Sequence, residues 1–217
     1  MSIEPTRIDQ DLAEYVRAHA SGRDDALRLV EDETAAMGDL QMMQTAPEQA
    51  AFLEMLVKLG PGRRAIEVGT FTGYGAIRIA RGLAEEGRLL CCELDPERAK
   101  TARRNLDRAG VGEKVEIRVG PAIETLRALP EEPTYDFAYV DADKTGYPDY
   151  YEALLPRMTP GGLIAFDNVL MGGRILDADP DEGTAAMQGL NDLLLDDDRI
   201  DSVMLGMADG LTLARVR

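Results

Sequence analysis

The sequence predicts an α/β protein with a doubly wound, mostly parallel seven-stranded sheet that ends in an antiparallel hairpin. Three observations predict it. From residue 65 onward short apolar runs alternate with amphipathic segments, the pattern of βαβ units. No repeat, low-complexity tract or Pro/Gly/Ser linker divides the 217 residues, so residues 1–217 read as one domain. An Asp209-Gly210 pair separates the last two strand-like segments, a hairpin signal.

Residues 1–60 read as a helical segment packed on an α/β core of residues 61–217. Asp9 can cap a helix reaching about His19. A second, from about Asp24, carries Ala26, Leu29, Val30 and Met37 at helical spacing. Pro47 suits the first turn of a third, which would turn Phe52, Leu53, Leu56 and Val57 inward. The apolar runs Ala65–Val68, Leu89–Cys92, Val115–Val119, Phe137–Val140 and Leu163–Phe166 read as parallel strands. Between them lie helical patterns at 74–83, 96–109, 122–129 and 148–155. A last helix near 185–195 precedes strands Ile200–Leu205 and Leu211–Val216.

Composition narrows the functional classes. Forty acidic residues against 24 basic give a net charge of −16, which disfavours nucleic acid as a partner; runs such as Asp196-Asp197-Asp198 would repel phosphates. No apolar stretch is long enough for a membrane span. The start MSIEPTRIDQDLAEYV has no basic-then-apolar leader pattern, so a cytoplasmic location is expected. Cys91 and Cys92 are adjacent, so an ordinary disulfide between them is implausible, and no Cys/His spacing suits zinc. The single histidine, His19, reads as a helix-surface residue.

Ligands of open α/β sheets bind beyond the carboxyl ends of the strands. The first strand runs into Glu67-Val68-Gly69-Thr70-Phe71-Thr72-Gly73-Tyr74-Gly75, where glycines permit a tight turn close to a ligand. The spacing GxxxGxG differs from the GxGxxG that seats a pyrophosphate, and favours a nucleoside without phosphates. Glu93 ends the second strand, placed to accept ribose hydroxyls, and Glu67 can pair with a cationic amino group. Gly120-Pro121-Ala122, after the third strand, lies where an adenine edge would be met.

Two acidic clusters follow the fourth and fifth strands: Asp141-Ala142-Asp143-Lys144 and Asp167-Asn168. Asp141, Asp167 and Asn168 offer only oxygen donors, suited to Mg²⁺ or Mn²⁺ with open positions that an aromatic 1,2-diol can fill. A metal there would acidify a bound hydroxyl and align it for attack. Lys144, one of four lysines, is the candidate general base, because a neighbouring cation disfavours its charged form. The plain alternative is a surface lysine paired with Asp143.

These residues together resemble the cation-dependent O-methyltransferases of the caffeoyl-CoA and catechol type, from about Leu12 to the C-terminus. Five motifs carry the resemblance: Met43-Gln44-Thr45-Ala46-Pro47-Glu48-Gln49, the Glu67–Tyr74 stretch, Val140-Asp141-Ala142-Asp143-Lys144, Asp167-Asn168 and Asp209-Gly210-Leu211-Thr212. The resemblance implies a Rossmann-like class I methyltransferase fold, S-adenosyl-L-methionine as methyl donor and Mg²⁺ (or Mn²⁺/Ca²⁺) as metal. It implies Asp141, Asp167 and Asn168 as metal ligands, and Lys144 with Asp141 as catalytic residues. Donor contacts fall on Met43, Thr45, Glu67, Gly69, Thr70, Tyr74, Gly75, Glu93, Gly120, Ala122, Asp141 and Asp143. A homodimer is implied as well.

Two departures bear on the substrate. Met171-Gly172 stand where many members have a tryptophan, leaving methionine as a softer contact for an aromatic acceptor. Gly75 replaces a common serine, removing one possible hydrogen bond to the donor. The stretch Gly172–Gly183, rich in Gly, Asp and Pro, reads as a mobile border of the acceptor pocket. Strong acidity and only scattered N-terminal arginines (Arg7, Arg17, Arg23, Arg28) favour a small catechol-like phenol over a CoA thioester. The competing readings are a caffeoyl-CoA-type enzyme, a dinucleotide-binding oxidoreductase, which lacks its GxGxxG here, and a non-catalytic nucleoside-binding module.

Overall fold

The computed structural model describes residue 6 and residues 8–217. Arg7 and the first five residues of the stretch read as lacking a leader lie outside the described residues.

Seven strands form one sheet: β1 (Arg64–Val68), β2 (Arg88–Glu93), β3 (Val115–Val119), β4 (Tyr135–Val140), β5 (Met158–Asp167), β6 (Ile200–Leu205) and β7 (Leu211–Val216). Their spatial order is β3-β2-β1-β4-β5-β7-β6. The first five are parallel, and β7 runs antiparallel to both β5 and β6. This is the predicted class I methyltransferase sheet with its C-terminal hairpin. The chain moves outward from β1 to β3, then crosses back to β4, which pairs with β1. The switch point therefore lies between β1 and β4, where Val68 pairs with Val140 and both strands end toward one face.

Side-chain alternation divides the core into two layers. Ala65, Leu89, Phe137 and Tyr139 face a layer built from α2 (Asp25–Ala35), α3 (Pro47–Leu59), α4 (Tyr74–Gly82) and α5 (Pro96–Arg108). Ile66, Val68, Ala138 and Val140 face the other, built from α6 (Ala122–Ala128), α7 (Tyr147–Leu154) and α8 (Glu182–Asp196). Because the central strands are buried on both faces, they read as unbroken apolar runs rather than alternating ones.

The N-terminal helices begin where their caps predict. Asp9 accepts from the Leu12 N–H at 3.0 Å at the start of α1 (Gln10–Ala18), and Asp24 caps α2 in the same way. The buried stripe of α2 is Leu27, Val30 and Thr34, whereas the predicted Leu29 is exposed. Thr34 goes inside because its hydroxyl pairs with that of Thr72 at 3.0 Å. In α3, Leu53 and Val57 are buried as expected, with Phe52 and Leu56 packed at the edge. α8 starts earlier than predicted, at Glu182, because Asp181 accepts from the Thr184 N–H at 2.7 Å and caps it. The stretch 172–183, read as a mobile loop, overlaps a short 3₁₀ turn, Met171–Leu176, and ends inside the first turn of α8.

His19 sits exposed at the end of α1, stacked on Tyr15. Cys91 and Cys92 are both buried and free. Among the described residues, no helix is long and apolar enough to cross a membrane.

Candidate active site

The carboxyl ends of β1, β2, β4 and β5 open into one cleft of about 760 Å³. Every residue that the sequence assigned to donor contact lines it, from Met43 and Thr45 through Glu67 and Glu93 to Ala122, Asp141 and Asp143. Lys144 and Asn168 line it too; Asp167 lies behind the wall, 4% exposed. A second cavity of about 360 Å³ at the amino ends of the strands, lined by Arg64, Arg88 and Tyr135, contains none of these residues.

The floor of the cleft is the turn after β1. Gly69 has φ +89°, and a Cβ there would sit 1.9 Å from the Asp141 carbonyl oxygen. Only glycine lets the β1 turn press against the end of β4. Glu93 fastens the turn from the next strand. Its Oε2 accepts from the Thr70 N–H (3.2 Å) and the Phe71 N–H (2.7 Å), and its Oε1 from Asp95 N–H (3.0 Å). Glu93 is thus a buried strut, not a solvated strand end. Oε2 has both of its lone pairs engaged, and Oε1, with one backbone donor, keeps a lone pair for a ligand hydroxyl.

Glu67 is the deepest acid of the cleft, 1% exposed. Burial pushes its carboxyl up to about 8, with Asp141 and Glu93 adding like charge, while the Cys91 thiol and Thr70 act against the rise. Its Oε2 accepts from Cys91 Sγ at 3.4 Å. Its Oε1 lies 2.7 Å from where a Cβ on Gly75 would be, and Thr45 Oγ1 at 3.4 Å from the same point. The glycine at 75 thus makes room for the Glu67 carboxylate, a packing reason that the sequence did not reveal. Tyr74 lines the cleft, but its hydroxyl donates to Glu31 Oε1 at 2.7 Å, toward α2.

At the other end, Lys144 Nζ donates to Asp141 Oδ1 (3.1 Å), Asn168 Oδ1 (2.7 Å) and the Tyr147 hydroxyl (2.7 Å). The alternative pairing with Asp143 is not what forms: Asp143 Oδ1 accepts from the Tyr150 hydroxyl at 2.5 Å. Asn168, at φ +57°, turns the chain sharply at the end of β5. Its amide nitrogen donates to Asp209 Oδ2 at 3.4 Å, which leaves its Oδ1 facing Lys144. Asp209 also accepts from the Gly172 N–H at 2.6 Å, tying the β6–β7 hairpin to the turn after β5. Asp167 accepts from the Tyr139 hydroxyl at 2.5 Å and from the Asn168 N–H at 2.7 Å. Burial, and next the Asp141 charge, push the Asp167 carboxyl up to about 7.

Asp141 and Asn168 already direct two oxygens at one cationic atom, and two carboxylates with an amide carbonyl make a hard donor set that fits a small divalent cation. Among the described residues, no three His, Cys, Asp or Glu side chains converge on a common point, so a cation here needs the Asn168 amide oxygen. Met171 does not play the part expected of it. It is buried in the core with Met187 and Leu190, and does not line the cleft. Tyr139, Tyr147 and Tyr150 had no place in the sequence reading, and Gln49 and Asp209 entered it only as motif members without a site role. Tyr139, Tyr147, Tyr150 and Asp209 each hold a candidate site residue, and Gln49 holds Tyr139. Arg98, also unread, lines the cleft and lies over the Phe71 ring at 5.5 Å.

Residues 17–217 match the profile of a family described as O-methyltransferase. The chain belongs to the O-methyltransferase family. It is 39% identical over 177 residues to a probable caffeoyl-CoA O-methyltransferase 1 of Dictyostelium discoideum, covering 79% of this chain and 77% of that one. It is 35% identical over 221 residues to a catechol O-methyltransferase of Niastella koreensis, covering 97% and 99%. Its fold matches an O-methyltransferase from Bacillus cereus solved with SAH, at TM-score 0.87 and 31% identity, over 95% of this chain and 97% of that one. The enzyme class read from the motifs is therefore that of the family, and the dinucleotide-oxidoreductase and non-catalytic readings fall away.

Proposed function

We propose that this O-methyltransferase moves the methyl group of S-adenosyl-L-methionine to one hydroxyl of a small catechol-like phenol, with a divalent cation at Asp141, Asp167 and Asn168. The observation that carries the reading is the Lys144 ammonium, held between Asp141 and Asn168 at one end of the cleft whose other end is the Glu67–Glu93 pair. The SAH in the Bacillus cereus neighbour and the catechol named for the Niastella relative support the donor and the acceptor class.

The reaction is a direct displacement: a new O–CH₃ bond forms as the S–CH₃ bond of the sulfonium breaks, leaving a neutral thioether. Glu67 sits where a buried carboxylate can balance the donor's positive charge, and Glu93 where it can accept from the ribose. Glu93's hold on the Thr70 and Phe71 amides keeps the turn fixed while the donor enters. A bound divalent cation would polarise the acceptor hydroxyl and compete with the Lys144 ammonium for the same two oxygens. Lys144, once neutral, takes the hydroxyl proton on Nζ, with Tyr147 aiming the amine from 2.7 Å. Alignment of the two reacting atoms supplies much of the rate.

A small phenol is favoured over a CoA thioester because Arg17, Arg23 and Arg28 are each paired with an acid, Glu48, Glu31 and Asp25. A homodimer and a cytoplasmic location belong to the same proposal; the two free, buried cysteines suit a reducing compartment. The test is transfer of labelled methyl from S-adenosyl-L-methionine to a catechol panel, with Mg²⁺ and with EDTA. Product formed with Mg²⁺ and lost with EDTA is expected. Equal product in both would remove the cation from the mechanism, and product only from CoA esters would move the acceptor.

A further inference from the structure

A hydrogen-bonded cluster behind the cleft joins its two ends. Tyr139, fully buried on β4, directs its hydroxyl between β5 and the start of α3. That oxygen donates to Asp167 Oδ2 at 2.5 Å and accepts from Gln49 Nε2 at 3.2 Å. Thr45 Oγ1 lies 3.3 Å away. A phenol has one proton, and Tyr139 gives it to Asp167, so Thr45 is the donor in that contact. The hydroxyl is therefore fully committed, and all four side chains are nearly closed to solvent.

The ring alone does not explain this residue. Phe137-Ala138-Tyr139-Val140 is an apolar strand, and phenylalanine would pack the same volume without a polar atom to satisfy. The hydroxyl's purpose lies in what it holds: on one side Asp167, on the other Gln49 and Thr45, of which Thr45 lines the cleft.

We propose that Tyr139 is a positioning residue that couples methyl-donor binding to cation binding. A donor that orders Thr45 fixes the Tyr139 hydroxyl, and the hydroxyl fixes the orientation of Asp167. Coupling of this kind is reciprocal, so the cation tightens the donor by the same factor as the donor tightens the cation. The inference rests on the cation reading of the site and adds to it a residue and a linkage.

The test is calorimetric titration of Mn²⁺ into the full chain, with and without S-adenosylhomocysteine, for the wild type, Tyr139→Phe and Thr45→Val. The wild type is expected to bind Mn²⁺, and more tightly with S-adenosylhomocysteine present. Tyr139→Phe should bind it roughly 10–100-fold more weakly, as when an outer partner of a ligating carboxylate is lost, and should lose the response to S-adenosylhomocysteine. Thr45→Val should keep the affinity measured without S-adenosylhomocysteine but lose the response to it. A purely structural role for the hydroxyl would lower the melting temperature of Tyr139→Phe and leave both affinities and their ratio unchanged, which would overturn the proposal and spare the cation reading. Absence of Mn²⁺ binding by the wild type under both conditions would overturn the cation reading and the coupling with it. If Tyr139→Phe fails to fold, Thr45→Val decides alone: a retained response to S-adenosylhomocysteine counts against the coupling.

Discussion

The two ends of the cleft are held in shape by different means. At the donor end the main chain does most of the work. Gly69 lies against the Asp141 carbonyl, and Glu93 grips the Thr70 and Phe71 amides. At the acceptor end the shape comes from side chains gripping side chains: Lys144 between Asp141 and Asn168, Asn168 on Asp209, Asp167 under Tyr139. A backbone-defined end tolerates almost no change at a few positions. A side-chain-defined end can lose one partner and keep its fold, while losing function.

The sharpest test of that contrast is Gly69→Ala. The added Cβ meets a carbonyl at 1.9 Å in a backbone region that L residues seldom occupy. The turn has to open, at a cost of about 3 kcal/mol or more. Thermal melting should show the loss, and calorimetry should find no binding of S-adenosylhomocysteine. A stable variant with wild-type affinity would mean that the turn is looser than its geometry indicates.

Lys144→Ala, at the other end, should leave melting and donor affinity near wild type and lower kcat by roughly 10²–10⁴-fold, the usual worth of a positioned base. Lys144→Arg separates two roles. A guanidinium keeps the charge for Asp141 and Asn168 but does not give up its proton. Near-normal kcat in Lys144→Arg would make the residue a holder of the two acceptor-end oxygens rather than a base.

The same contrast decides what the sequence could say. Gly69, Gly73, Glu67 and Glu93 stand out because a strand-end turn imposes residue types at short, fixed spacings, and such constraints are local. The parallel runs and the terminal hairpin were legible too, whereas the spatial order, which reverses between β1 and β4, comes from packing of distant segments. Tyr139 and Asp209 are different. Their partners lie 28 and 41 residues away, and a tyrosine in an apolar strand looks like core until the fold brings Asp167 to it. Tyr147 and Tyr150 hide in the inward face of α7 for the same reason. Met171 misled in the opposite direction: its position suggested a ligand contact, and packing put it in the core.

Gly75→Ser probes the donor end more gently. The new Cβ would lie 2.7 Å from Glu67 Oε1 and 3.4 Å from Thr45 Oγ1. A carboxylate tip can swing away, so the fold should survive with a loss under about 1.5 kcal/mol. Glu67 would then be displaced from its proposed place beside the donor, and KM for S-adenosyl-L-methionine should rise by about tenfold, equivalent to ~1.4 kcal/mol, with kcat little changed. A fall in KM would mean that the serine hydroxyl helps the donor more than the displaced carboxylate hurts it.

The smallest expected effect is a slope rather than a loss. Glu67 holds its proton in the folded, donor-free protein up to about 8, against an ordinary value of 4.5. Between those values the unfolded chain has released the proton and the folded chain has kept it. The unfolded state then binds fewer protons, so stability falls as pH rises through the window, by at most about 1.4 kcal/mol per pH unit from this group. Below pH 4.5 both states are protonated, and the contribution is constant. Glu67→Gln keeps the shape and removes the titration. Its melting temperature should therefore decline less than that of the wild type between pH 5 and pH 8. Parallel declines would mean that Glu67 ionises readily in the donor-free cleft. Its buried place beside Cys91 and Gly75 would then be compatible with a standing negative charge, and the donor end would be electrostatically preformed rather than charged by its ligand.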